Sequence, residues 1–100
     1  TDFAYTASMR ISFYATLRKI VGTKHVDFDV SPTPDLNEIL SAVLEAYPAL
    51  ADELLDKTGG LSKHIHLFVD GRSSKWLPDG MKTRVDGRQV IEFFPAVAGG

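Results

Sequence analysis

One amphipathic helix pattern, set between strand-like segments, most constrains the fold of this chain. In SPTPDLNEILSAVLEAYPAL the apolar residues recur every three or four positions and form a single stripe: Leu36, Ile39, Leu40, Val43, Leu44 and Tyr47. Thr33 is expected to cap the N-terminus of this helix, Pro34 suits its first position, and Pro48 should end it. A helix with one apolar stripe must bury it against another element, so the flanking segments have to supply a sheet.

Two segments before the helix alternate apolar and polar residues, the period of two that is typical of half-buried strands. MRISFYATL alternates from Met9 through Ala15, and HVDFDV alternates from His25 to Val30. RKIVGTK lies between them and contains Gly22, a residue suited to a turn. The two segments therefore predict an antiparallel hairpin with a longer loop.

After the helix, ALADELLDKTGG is compatible with a short helical turn. HIHLFVDG indicates a strand that ends in an Asp70-Gly71 turn, and VIEFFP indicates the last strand. The segment 72–88 between them is irregular, with one short strand around residues 75 and 76. This order predicts an α+β β-grasp fold, in which a mixed sheet of four to five strands carries one main helix on one face.

Size and charge limit the possible functions. A chain of 100 residues has the usual size of one domain, which we place at 9–95, with a flexible extension at 1–8 and a flexible tail at 96–100. A net charge of −2 gives no basis for binding nucleic acid. No apolar run approaches the roughly 20 residues that span a bilayer, and no signal peptide pattern is visible, so we expect a cytoplasmic protein. The absence of cysteine excludes side-chain thiol chemistry.

The predicted sheet face opposite the helix is unusually aromatic. If Ile91 and Phe93 point inward, then the outward residues of the strands include Tyr14, His64, His66, Phe68 and Phe94. Either the irregular segment covers part of this face, or a register shift reverses the faces, or the residues form an apolar docking patch for a protein partner. We favour the docking patch.

No constellation of residues indicates a catalytic centre. His64 and His66 share a strand face, but the sequence offers no obvious third ligand, so we predict no metal site. The Asp-Gly pairs lack the spacing of a calcium loop and are typical of turns. No serine lies in a nucleophile motif. We therefore expect a protein that is not an enzyme.

Three stretches, FYATLRKIVGT, VDGRQVIEFFP and the ending FFPAVAGG, resemble the ubiquitin-like sulfur carriers of the MoaD/ThiS type. The resemblance covers the chain from Met9 onward. It implies that the carboxylate of the last glycine is adenylated by an ATP-dependent, E1-like activating enzyme (an adenylyl/sulfurtransferase) and converted to a thiocarboxylate. A sulfur-accepting synthase would then use that sulfur to make molybdopterin, cysteine or a similar product.

The resemblance also assigns expected roles to residues. Gly99 and Gly100 match the terminal pair of the family, with Gly100 as the reactive carboxylate. Tyr14 and Phe94 match positions that face partner enzymes, and we add Phe68 and Val97 to this partner-binding set. The carrier itself is expected to bind no cofactor, because ATP is used by the activating enzyme, and to be a monomer when free.

Two alternatives stay open from the sequence. The first is a ubiquitin-like modifier that forms isopeptide bonds to lysines through Gly100, because activation of the terminus is common to both functions. The second is a β-grasp interaction module that binds through its aromatic face and never reacts. The sequence identifies neither the acceptor nor the activating enzyme.

Overall fold

Five strands form one mixed sheet in the spatial order β2-β1-β5-β3-β4. Their bounds are β1 Ala7–Phe13, β2 His25–Val30, β3 Ile65–Val69, β4 Arg72–Ser73 and β5 Ile91–Pro95. β1 pairs antiparallel with β2 and parallel with β5, and β3 pairs antiparallel with both β5 and β4. The computed structural model describes residues 6–96 of the chain. The predicted β-grasp arrangement is confirmed.

The main helix lies where its apolar stripe predicts. The helices are α1 Ala15–Val21, α2 Leu36–Ala46 and α3 Ala51–Leu54, with a 3₁₀ turn at Pro48–Leu50. Four stripe residues of α2 are buried, and Leu44 and Tyr47 pack partly buried against the same core. α2 ends just before Pro48, as predicted, and the 3₁₀ turn with α3 confirms the short helical segment that follows.

The start of α2 differs from the prediction. Asp35, not Thr33, is the N-cap, and its Oδ1 accepts a hydrogen bond of 2.8 Å from the Glu38 amide. The residues just before the helix are held in an extended conformation by the segment 83–85: the Leu36 amide donates to the Thr83 carbonyl at 3.1 Å. This pairing delays the first helical turn, so the side chain of Asp35 is the one that reaches the free amides.

The connection between β1 and β2 is a short helix, where the sequence analysis predicted a continuing strand and a loop. β1 ends at Phe13, and Ala15 has a left-handed φ of 54°, which stops the strand and begins α1. Leu17 is the one buried residue of α1, so the segment shows no helical stripe in the sequence. Gly22 ends α1 at a φ of 92°, which confirms it as the turn residue.

The bounds of the N-terminal extension and of the short strand after β3 also differ from the prediction. β1 begins at Ala7, so the predicted extension 1–8 overlaps a paired strand; residues 1–5 and tail residues 97–100 lie outside the described part of the chain. The predicted turn at Asp70-Gly71 is confirmed, with φ values of 51° and 82°. The short strand that follows is β4, three residues earlier than predicted, because residues 74–76 form a 3₁₀ turn instead.

The core lies between the sheet and α2. Alternate residues of β1, β3 and β5 point toward the helix and are fully or almost fully buried, including Phe13, Leu67 and Phe93. The rings of Phe13 and Phe93 stack at 5.7 Å across the parallel β1–β5 pair. Within residues 6–96, no helix is both long and apolar enough to cross a membrane.

Candidate partner-docking face

Tyr14 and Phe94 stack against each other on the sheet face that points away from α2. Phe13 pairs with Phe93 in the parallel β1–β5 register, and both of those rings point inward. Because successive side chains of an extended chain alternate between faces, the next residues, Tyr14 and Phe94, both point outward. Their ring centroids lie 4.0 Å apart with an interplanar angle of 6°.

Two residues of β3 extend this stack across the sheet. The Phe68 ring contacts Phe94 edge-on, with 5.3 Å between centroids, and His66 lies 5.7 Å from Phe68. His66 is also the pairing partner of Phe94 on the neighbouring strand. We call the surface formed by Tyr14, His66, Phe68 and Phe94 the aromatic face; all four are only partly buried.

The predicted register is confirmed, because Ile91 and Phe93 are fully buried whereas Glu92 and Phe94 are partly exposed. The irregular segment borders the aromatic face without closing it. A shallow concavity of about 550 Å³ lies over Phe68 and Phe94, and it reaches Pro95 and Ala96. The face therefore offers an apolar surface of the kind that protein partners use.

A polar contact fixes Tyr14 at the edge of the aromatic face. Its hydroxyl donates a hydrogen bond of 2.6 Å to Oε2 of Glu92, a residue of the adjacent strand β5. That hydrogen bond, followed by desolvation and the negative charge of Glu92, raises the pKa of the Tyr14 phenol. The contact holds the ring in one orientation and leaves its hydroxyl as a hydrogen-bond donor at neutral pH.

A lysine contacts the same tyrosine. The ammonium of Lys24 lies 4.9 Å from the centroid of the Tyr14 ring. Since Phe94 occupies one face of that ring at 4.0 Å, Lys24 must lie over the other. Such a cation–π contact contributes about 0.5–1 kcal/mol at an exposed site. Tyr14 is therefore held by an aromatic ring, a carboxylate and a cation, which makes it a rigid part of the surface.

The C-terminal tail leaves the sheet beside the aromatic face. Pro95 pairs with Ile65, and the Ala96 amide donates a hydrogen bond of 2.5 Å to the His64 carbonyl. A concavity of about 350 Å³ next to this point is lined by Ala15, Thr16, Glu53, His64, Ile65, Pro95 and Ala96. The predicted site residues Val97, Gly99 and Gly100 lie outside the described residues, so their roles stay predictions.

His64 does not belong to the aromatic face, contrary to the sequence expectation. It precedes the first residue of β3, is exposed, and lines the concavity at the base of the tail. The regular alternation of β3 begins only at Ile65, after this position. The side of the sheet on which the His64 side chain lies could therefore not be predicted from the alternation. In the described part of the chain, no three potential metal-ligating side chains cluster together.

Three residues that shape this surface were not predicted as site residues. Glu92 was expected to point outward, but its bond to Tyr14 joins residues 78 positions apart, which no local pattern reveals. Lys24 follows the short helix α1 that the sequence analysis missed. Trp76 lies in a 3₁₀ turn within the irregular segment, where no periodicity assigns a face.

Comparison with known proteins identifies the family to which this chain belongs. The model of the ThiS family matches residues 11–100. The chain is 32% identical over 92 residues to small archaeal modifier protein 3 of Haloferax volcanii, a match that covers 92% of this chain and 98% of that protein.

Solved structures share the fold. The crystal structure of SAMP1 from Haloferax volcanii has a TM-score of 0.80 at 26% identity, covering 94% of this chain and 100% of that one. In the crystal structure of the Amycolatopsis orientalis BexX/CysO complex, the matched chain has a TM-score of 0.75 at 22% identity, covering 92% of this chain and 99% of that one. Since the family model spans most of the sequence, the chain belongs to the ThiS family, whose members matched here are small ubiquitin-like carrier and modifier proteins with a β-grasp fold.

Proposed function

We propose that this protein is a sulfur carrier whose Gly100 carboxylate is activated and loaded with sulfur by a partner enzyme. One observation supports this proposal above all: β5 ends beside the aromatic face, and the next residue, Ala96, is anchored there by its hydrogen bond to the His64 carbonyl. A partner that covers the aromatic face would therefore lie next to the base of the tail. Binding of the partner to the aromatic face would therefore also bring the C-terminal glycine to the active site of that partner.

The chemistry requires two steps at the terminal carboxylate. An oxygen of the Gly100 carboxylate attacks the α-phosphorus of ATP, and pyrophosphate leaves, which gives an acyl-adenylate. Hydrosulfide then attacks the acyl carbon, and AMP leaves with the original carboxylate oxygen. The product is a thiocarboxylate. The activating enzyme uses the ATP, and the carrier itself holds no cofactor in this proposal.

The tail is suited to enter a separate active site. From Ala96, four further residues can extend by about 13 Å at roughly 3.3 Å each. Gly99 and Gly100 carry no side chains that would obstruct a narrow channel. Because the chain has no cysteine, it offers no side-chain thiol, and the C-terminal carboxylate is the group that can carry sulfur.

The expected partners are an E1-like activating enzyme and a downstream synthase that accepts the sulfur. The aromatic face is suited to both, because rigid aromatic side chains contribute strongly to binding at protein interfaces. The CysO-like structural neighbour was crystallised in a complex with BexX, which is consistent with a carrier that works through partners. The acceptor, such as a molybdopterin or cysteine precursor, and the cytoplasmic location stay predictions.

Mass spectrometry of the intact protein tests the carrier function. After incubation with the activating enzyme of the same genome, ATP and hydrosulfide, the protein should gain the mass difference of sulfur replacing one oxygen. A variant that lacks Gly99 and Gly100 is the matched control and should gain nothing. No gain with an enzyme that adenylates another carrier, or full biological function without the two glycines, would contradict the proposal.

A modifier function is the second candidate, because the relatives matched here include proteins described as small archaeal modifiers. In that reaction the ε-amine of a lysine attacks the activated carbonyl of Gly100, the activating group leaves, and an isopeptide bond forms. Proteomic digestion of cells that express the tagged protein distinguishes the two functions. Lysines linked to Gly100 on other proteins would establish modification, and a thiocarboxylate without such links would favour the carrier.

A further inference from the structure

Trp76 is the most exposed large apolar side chain in the described part of the molecule. It is the single tryptophan of the chain, and 79% of its surface is accessible, compared with 54% for Val90 and 38% for Ile20. A free indole in water is an apolar surface that a partner can bury, and tryptophan is enriched among the residues that dominate binding energy.

The backbone beneath Trp76 is well anchored. Trp76 ends a 3₁₀ turn whose N-cap is Ser73, and the Ser73 hydroxyl accepts a hydrogen bond of 3.3 Å from the Lys75 amide. Ser73 and Ser74 are buried, and β4 pairs this segment with β3. The indole is therefore presented from an ordered turn at the edge of the sheet, which lowers the entropic cost of binding it.

Trp76 is continuous with the aromatic face. A concavity of about 600 Å³, which we call the edge groove, is lined by His66, Phe68, Gly71, Arg72, Ser73 and Trp76. Its first three lining residues also line the concavity over Phe94 and the base of the tail. β3 lies between β5 and β4, and neighbouring strands are about 4.8 Å apart, so the distance from β5 to β4 is about 10 Å. An extended peptide segment of about three residues spans this distance.

The charge of the edge groove indicates its ligand. Arg72 is the one lining residue with a permanent charge, and it is exposed. The ion pairs among the described residues are Arg10–Asp27 and Arg88–Asp86, and neither of them involves Arg72. The edge groove therefore offers a guanidinium that no carboxylate of the described residues pairs with, although the chain has a net charge of −2.

We propose that the edge groove binds a segment of a partner protein that places an apolar side chain on Trp76 and a carboxylate on Arg72. This inference deepens the proposed function, on which it rests for the role of the aromatic face in docking. It adds a second anchor to that face and specifies an apolar, acidic segment as its ligand. The carboxylate on Arg72 would fix the direction in which the segment crosses the sheet.

Peptide selection tests the ligand chemistry without any partner enzyme. A random dodecapeptide library is selected on the immobilised full-length protein, and the enriched peptides are synthesised with a fluorescent label for anisotropy titrations. We expect enriched peptides that combine aromatic or aliphatic residues with Asp or Glu. Trp76→Ala and Arg72→Glu should each weaken their binding by about tenfold or more.

Matched controls lie outside the groove. Ile20→Ala removes another exposed apolar side chain, and Arg18→Glu reverses another exposed charge, both on α1; neither should change the peptide affinity. Thermal unfolding of every variant verifies that it folds, which is expected for side chains this exposed. No enrichment, peptides without acidic residues, or binding that survives both groove substitutions would overturn the proposal.

Two further results distinguish a partner segment from a second copy of the chain in the edge groove, and separate this inference from the carrier function. In sedimentation experiments on the protein alone, a dimer that Trp76→Ala dissolves would make a second copy the occupant and would overturn the partner proposal, whereas a monomer agrees with it. Sulfur loading of Gly100 is read independently by mass. A protein that gains sulfur but shows no groove-dependent peptide binding would refute this inference alone, and the reverse result would refute only the carrier function.

Discussion

Two aromatic stacks lie back to back on the same pair of parallel strands, and they have opposite surroundings. Phe13 and Phe93 stack at 5.7 Å on the inner side and are completely buried. The next residue of the chain after each of these, Tyr14 and Phe94, lies on the outer side; their rings stack at 4.0 Å and are partly exposed to water. The inner pair has the core and α2 around it, whereas the outer pair is contacted from the sheet by Phe68 and Glu92 and from the loop by Lys24. The same type of contact can thus serve the fold on one side and remain available to a partner on the other.

The largest expected effect concerns the inner pair. Phe93→Ala should lower the free energy of unfolding by about 3–5 kcal/mol, because it leaves a cavity in a fully buried site. Chemical denaturation monitored by circular dichroism measures this loss. The matched outer variant, Phe94→Ala, should lower the same free energy by only about 1 kcal/mol. Equal losses would show that both stacks support the fold to the same extent.

The next effect concerns binding by the outer pair. Phe94→Ala should weaken binding of the activating enzyme by about 1–3 kcal/mol, the range for a significant interface anchor, and leave the fold intact. The KM for the carrier in ATP–pyrophosphate exchange, or calorimetric titration, measures this change. An unfolded variant would mean that Phe94 belongs to the core, and unchanged affinity would mean that the partner docks elsewhere.

A smaller effect tests the corrected start of α2, the helix that covers the inner stack. Asp35→Ala should lower the free energy of unfolding by about 1 kcal/mol, because the Glu38 amide loses its capping carboxylate. Thr33→Ala is the control and should have a negligible effect, since its side chain does not cap the helix. A larger loss for Thr33→Ala than for Asp35→Ala would restore the original prediction.

The smallest effect depends on pH and concerns the outer stack. The folded-state pKa of Tyr14 is raised, so its hydrogen bond to Glu92 stabilises the fold fully below the unfolded pKa of about 10 and is lost as the pH rises through the folded value. At pH 7, Tyr14→Phe should be less stable than the wild type by about 0.5 kcal/mol, a low value because Tyr14 is partly exposed to solvent.

Denaturation at pH 7 and again above the titration of Tyr14 measures this difference. The deficit of Tyr14→Phe should disappear at the higher pH, because the wild-type phenolate then faces the Glu92 carboxylate. Glu92→Gln, which removes the negative charge beside the phenol, should lower the pKa of Tyr14. A deficit that is the same at both pH values would show that the hydroxyl does not contribute through this hydrogen bond.

Much of the aromatic face could be predicted from the sequence, because the alternation of side chains along a strand assigns each strand residue to one side of the sheet. Period two correctly directed Phe68 and Phe94 outward and Phe93 inward. It failed at His64, which precedes the strand, and at Ala15, where a left-handed residue begins a helix. It carried no information on Trp76, since the face of a residue in an irregular turn depends on what that turn packs against.

By itself, the sequence determined the two-layer fold, the helix that covers the sheet, the face of most strand residues and the resemblance to the ThiS family. These properties follow from periodicities and motifs within short stretches of chain. Only the tertiary structure decided that β5 lies parallel to β1, which brings Tyr14 to Phe94 and Glu92. The physical reason is that pairing between strands about 80 residues apart depends on the packing of the whole core, which no local pattern contains.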